Sequence, residues 1–85
     1  MNTKAPCDGG ELTIEYLDRV ARMLKLLAHP HRLKIVETLD IGGAMPVHGL
    51  MGKLGLPQAP TSQHLNLMRR AGLVESRRKG REVWY

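Results

Sequence analysis

The chain holds 85 residues with a net charge of +5, 42% hydrophobic and 25% charged residues, and a single cysteine. That is room for one small domain, which buries only about 60–65% of the surface of its unfolded chain and gains from pairing with a second copy. One cysteine excludes an intrachain disulfide and a multi-thiolate metal site within one chain; no apolar run approaches the roughly 20 residues that span a bilayer, and no apolar segment at the amino terminus reads as a secretory signal, so a cytoplasmic protein is expected.

Residues 1–10 are small and polar, with Pro6, Gly9 and Gly10, and read as a flexible tail ahead of one domain at residues 11–85. From residue 11 or 13 to residue 28, Leu17, Val20, Ala21, Leu24 and Leu27 recur at helical spacing and predict an amphipathic helix. Ile14, Tyr16 and Met23 widen its apolar surface beyond what one narrow core uses, so Leu17, Val20 and Leu24 are assigned to a homodimer interface. Pro30 suits the first turn of a second helix, where its missing N–H is not needed. That helix carries Leu33, Ile35, Val36 and Leu39 and ends near Asp40, before Gly42-Gly43. A third helix over residues 47–54 buries Leu50, Met51 and Leu54, with Gly55 as its left-handed terminator. After the turn Leu56-Pro57-Gln58, a fourth helix begins between residues 58 and 61 and stops at Gly72, with Leu65, Met68 and Leu73 inward. Val74-Glu75-Ser76-Arg77 and Glu82-Val83-Trp84-Tyr85 read as strands around Lys79-Gly80, where a tight turn takes a residue tolerant of positive φ. The predicted fold is mainly α with a small β-hairpin: a winged helix-turn-helix of about four helices plus a two-stranded wing.

Charge is placed unevenly along this order. Residues 1–57 hold seven Lys and Arg against six Asp and Glu, whereas residues 58–85 hold six against two. The excess sits on the fourth helix and the hairpin, the footprint expected for a nucleic-acid partner. Gln63 and Asn66 carry amides that match adenine N6 and N7. Thr61 and Ser62 donate to phosphate or base edges, Ser62 having helix back-bonding as its alternative. Gln58 contacts backbone or base from just ahead of the helix, and Arg70 anchors phosphate. Arg77, Arg78, Lys79 and Arg81 form a basic wing whose contacts position the protein more than they specify sequence.

Leu26-Leu27-Ala28-His29-Pro30-His31-Arg32-Leu33-Lys34-Ile35-Val36, then Ser62-Gln63-His64-Leu65, Ala71-Gly72-Leu73-Val74 and the wing with Trp84-Tyr85, resemble the ArsR/SmtB family of bacterial repressors in order and spacing, over roughly residues 12–85. The resemblance implies a homodimeric winged-helix repressor that binds an inverted-repeat operator in double-stranded DNA and responds to a metal ion or another small inducer, of unknown identity. His64 matches a family position and joins the DNA-binding set, reading a base, bonding phosphate or packing behind the helix. Two departures narrow what carries over. The family's thiolate metal sensors hold Cys-x-Cys at the start of the third helix; here those positions are Pro46 and His48, which cannot build a soft-metal site. Many members continue into a carboxy-terminal dimerisation helix. This chain stops at Tyr85, so that helix is absent or the chain is a fragment, and dimerisation is expected to rest on the first helix.

No metal ligand is assigned and no cofactor is evident. His29 and His31, two apart around Pro30, read as capping and helix-surface residues, and Cys7 as an incidental thiol. A winged-helix protein-interaction module without specific DNA binding is the alternative function, disfavoured because protein interfaces centre on apolar anchors. The chain shows no nucleophile–base pairing, phosphate-cradling glycine loop or carboxylate pair that marks an enzyme.

Overall fold

Thr13 starts the first long helix: its hydroxyl accepts the N–H of Tyr16 at 3.2 Å, satisfying one of the donors that a helix start leaves unpaired. The computed structural model describes residues 6–85. In it α1 spans Ile14–Leu27, α2 Pro30–Gly42, α3 Val47–Leu54 and α4 Gln58–Arg70. Short strands β1 (Cys7–Asp8) and β2 (Glu11–Leu12) precede the helices, and β3 (Arg77–Lys79) and β4 (Glu82–Trp84) follow them, each pair antiparallel. This is the predicted winged helix-turn-helix.

Local chemistry explains the boundaries. Pro30 fills the first turn of α2, and the Nδ1 of His29 accepts the N–H of His31 at 3.2 Å as its cap. The helix continues past Asp40 to Gly42, and Gly43 breaks it at φ +74°, ψ −163°, a backbone that glycine alone adopts readily. A Schellman motif closes α4: Gly72 turns left-handed at φ +78°, while Leu73 and Gly72 donate to the carbonyls of Met68 (2.9 Å) and Arg69 (3.0 Å).

The core forms where three helices converge. Ile35 of α2, Leu50 and Leu54 of α3, and Leu65 and Met68 of α4 are buried together, with Leu26, Leu27, Leu73, Val74 and Tyr85 against them. No residue of α1 is buried. Leu27 packs on the core from its end, whereas Ile14, Leu17, Met23 and Leu24 stay exposed.

Two regions differ from the spacing-based expectation. Across the end of the expected tail, residues 7–12 form the β1–β2 hairpin, turned by Gly9 and Gly10 at φ +60° and +88°; residues 1–5 lie outside the described residues. In the wing, the first strand begins at Arg77 rather than Val74, because Val74 leaves the Schellman turn and packs on the core. Lys79 pairs with Glu82, so the turn residues are Gly80-Arg81 rather than Lys79-Gly80, with Gly80 at φ +62°. Met45 and Tyr85 exchange backbone hydrogen bonds of 3.0 and 2.9 Å, and Pro46 bridges Trp84, which ties the wing to the start of α3. Among the described residues no helix is long and apolar enough to cross a membrane.

Candidate nucleic-acid interface

The phase of α4 decides which of its polar residues face outward. Thr61, Leu65 and Met68 fall at four- and three-residue spacing and form its buried stripe. The opposite side presents Gln58, Ala59, Gln63, Asn66 and Arg70, all exposed, with Ser62 half-buried among them. No side chain caps this helix, whose cap residue is Pro57, and Pro60 brings no N–H to its first turn. Its amino-terminal end thus keeps uncapped backbone donors and a positive dipole end, where an anion such as a phosphate is favoured.

The fold gathers six of the predicted residues into two adjoining depressions. Gln58, Ser62 and Asn66 share a cleft of about 330 Å³ with Arg81 of the wing, floored by Val47, Met51 and Tyr85. Ser62, Gln63, Asn66 and Arg70 line a second groove along the same face, with Ala59 leaving room at its end. Amide and hydroxyl donors therefore lie beside guanidinium groups on one continuous surface.

Two predicted residues of α4 are not on it. Thr61 is 0% exposed, and its hydroxyl donates to the Pro57 carbonyl at 2.9 Å, so it locks the helix start instead of reaching DNA. His64 is half-buried and turned toward α2; its Nδ1 accepts from Arg32 Nε at 3.1 Å, and its ring lies 4.5 Å from that of His29. Burial holds the His64 imidazole below its usual pKa, and the nearby charges of His29, Arg32 and His31 push the same way. Of the placements left open for His64, the one behind the helix is the one seen.

The wing cations divide. Arg81 joins the α4 cleft, while Arg77 and Lys79 border a separate depression with Trp84 and Tyr85. Lys79 Nζ lies 4.4 Å from the centre of the Trp84 ring, a cation–π contact that holds its charge against the hairpin. Arg78 is exposed and donates to the Gly80 carbonyl at 3.4 Å, a long contact that leaves the guanidinium available.

The spacing did not single out the junction between α3 and the wing. His48 Nδ1 sits 3.3 Å from Glu82 Oε2 and the Trp84 indole donates to Glu82 at 3.4 Å. The contact is largely exposed, is an ion pair only when His48 is protonated, and contributes about 0–1 kcal/mol. The same contacts test the thiolate metal site. Pro46 is the α3 cap and bridges Trp84, His48 faces Glu82, and Cys7 is exposed on the β1–β2 hairpin. These residues do not fit a cysteine-based ion site.

The domain and its fold have counterparts among known proteins. A family model described as a helix-turn-helix domain matches residues 27–77. The chain is 38% identical over 84 residues to the biofilm growth-associated repressor of Agrobacterium fabrum, covering 94% of this chain and 71% of that protein. It is 42% identical over 71 residues to the HTH-type transcriptional repressor SmtB of Mycobacterium tuberculosis, covering 84% of this chain and 52%, about half, of that one. The crystal structure of the transcriptional repressor BigR from Xylella fastidiosa superimposes with a TM-score of 0.75 at 38% identity, over 84% of this chain and 71% of that chain.

Proposed function

This chain belongs to the ArsR/SmtB family of winged helix-turn-helix transcriptional regulators, and from that premise we propose that it represses transcription as a homodimer bound to an inverted-repeat operator. The observation that carries this reading is the exposed face of α4, where Ser62, Gln63 and Asn66 stand beside Arg70 and the wing's Arg81. Hydrogen-bonding side chains on a helix that enters the major groove read base edges. Cations beside them bind phosphates and set the register of the protein on the duplex. The family is one of DNA-binding regulators rather than enzymes, and DNA as the partner makes the cytoplasm the place of action.

The dimer reading is supported by α1. Ile14, Leu17, Met23 and Leu24 leave large apolar side chains exposed along it, Leu24 to 62%, and a contiguous apolar surface of this kind marks an interaction face. Leu17, Val20 and Leu24 are its proposed contacts. A two-fold axis through this face would send the two α4 helices into successive major grooves about 34 Å apart.

Selection of bound duplexes from a random library tests the proposal. The expected product is an inverted repeat whose half-sites are spaced by about one helical turn. Recovery of no preferred sequence would reject it.

A further inference from the structure

Three imidazoles meet behind α4. His29 caps α2, His31 stands in the first turn of that helix, and His64 comes from the flank of α4 that faces it. Their ring centres lie 4.5 Å (His29 and His64), 5.5 Å (His29 and His31) and 5.9 Å (His31 and His64) apart. One ring nitrogen from each lies within 4.8 Å of the other two, and all three residues are half-buried. Pro30 places the first two on either side of the helix start, and the packing of α2 on α4 delivers the third.

We infer that His29, His31 and His64 form a site for one divalent transition-metal ion per chain, set between α2 and α4. Imidazole nitrogen suits Zn²⁺, Ni²⁺ and Cu²⁺ and discriminates against hard ions such as Mg²⁺ and Ca²⁺. Metal–nitrogen bonds of about 2.0–2.1 Å in a tetrahedral site put the donor atoms about 3.3 Å apart, so the widest pair here has at most about 1.5 Å to close, a displacement within reach of imidazole rotation. Arg32, next to His31 in the chain and bonded to His64, opposes a cation by its charge, which further favours ions that form strong bonds to nitrogen over those held by charge alone.

The present hydrogen bonds define what the ion must displace. His29 Nδ1 accepts from the His31 N–H, and His64 Nδ1 accepts from Arg32 Nε. A neutral imidazole that ligates through Nε2 carries its proton on Nδ1, which then cannot accept. An ion held at Nδ1 takes the same lone pair directly. By either nitrogen, loading competes with the cap of α2 and with the Arg32–His64 contact. Both lie where α2 supports α4, so the ion biases the seating of α4. This last consequence rests on the reading of α4 as the DNA-contacting helix; binding of the ion does not.

The test is calorimetric titration of the metal-free chain with Ni²⁺, alongside His29→Asn, which keeps a capping oxygen, and His31→Gln, each checked for folding by circular dichroism. One ion per chain is expected, with affinity lowered about tenfold or more in each variant and unchanged in His48→Asn and Cys7→Ser. Zn²⁺-induced ¹⁵N shifts of the three imidazoles in the unsubstituted chain give a readout that needs no variant. Equal affinity in all variants, or imidazole shifts confined to His48, would overturn the site while leaving the DNA reading intact. Bound Ni²⁺ that leaves affinity for the selected operator duplex unchanged would instead overturn the coupling to α4.

Discussion

Neutralising Arg78 isolates the electrostatic part of the proposed DNA contact. The side chain is exposed, its one internal hydrogen bond is long at 3.4 Å, and its hairpin partner Val83 lies on the other strand. Arg78→Ala should therefore change folding stability by no more than about 0.5 kcal/mol. Each phosphate contact released from B-DNA removes about 0.9 from the slope of log K against log salt. A symmetric dimer loses two such contacts, a slope change of about 1.8. Over the fourfold rise from 50 to 200 mM salt, the unsubstituted dimer should then lose about twelvefold more affinity than the variant. Fluorescence anisotropy titrations with the selected operator and with a scrambled duplex, at three salt concentrations, measure this. The slope change should be the same on both duplexes, because phosphates carry no sequence. An unchanged slope, or a loss confined to the operator, would refute it.

Other substitutions separate the remaining roles. Asn66→Ala should leave the salt slope unaltered and shrink the ratio of operator to scrambled affinity by about 5- to 150-fold per half-site, the worth of one bidentate base contact of about 1–3 kcal/mol; an unchanged ratio in the same titrations would remove Asn66 from base reading. Thr61→Val deletes the buried hydroxyl's bond to Pro57, so urea denaturation should show a loss of about 1 kcal/mol while operator preference stays the same, and the opposite pattern would return Thr61 to the DNA face. Leu24→Glu adds a charge to a side chain already 62% exposed in the single chain. Sedimentation equilibrium should show it shifting from dimer to monomer with its helix content retained, and a persistent dimer would move the interface away from α1.

Apart from the end of α2, which runs through Gly42, the helix limits were legible because they are set by residues whose backbone preference acts locally. Pro30, Gly55 and Gly72 mark ends without help from distant parts of the chain, and they fall where expected. The wing and the β1–β2 hairpin were less legible for the opposite reason. Val74 looks like the first residue of a strand, but the Schellman turn ahead of it aims it at the core. Two-residue strands such as Cys7–Asp8 are too short to show an alternation at all.

The candidate site divides along the same line. Residue type put Thr61, and the family resemblance His64, among the expected DNA-binding residues, yet a helix offers each position one direction only. Once Leu65 and Met68 are fixed inward, the position four before Leu65 is also inward, and that position is Thr61. Phase was therefore a signal present in the chain, and it outranks polarity: a hydroxyl can be buried with its hydrogen bond made to the carbonyl four residues back, as the bond to Pro57 shows. His64 is different. Its orientation depends on Arg32 and His29, which come from another helix, and no spacing within α4 encodes them. What the local pattern supplies is a list of candidate DNA-contacting groups; the packing of α2 against α4 selects among them, and the histidine it withdraws from the proposed DNA face is the one it delivers to His29 and His31.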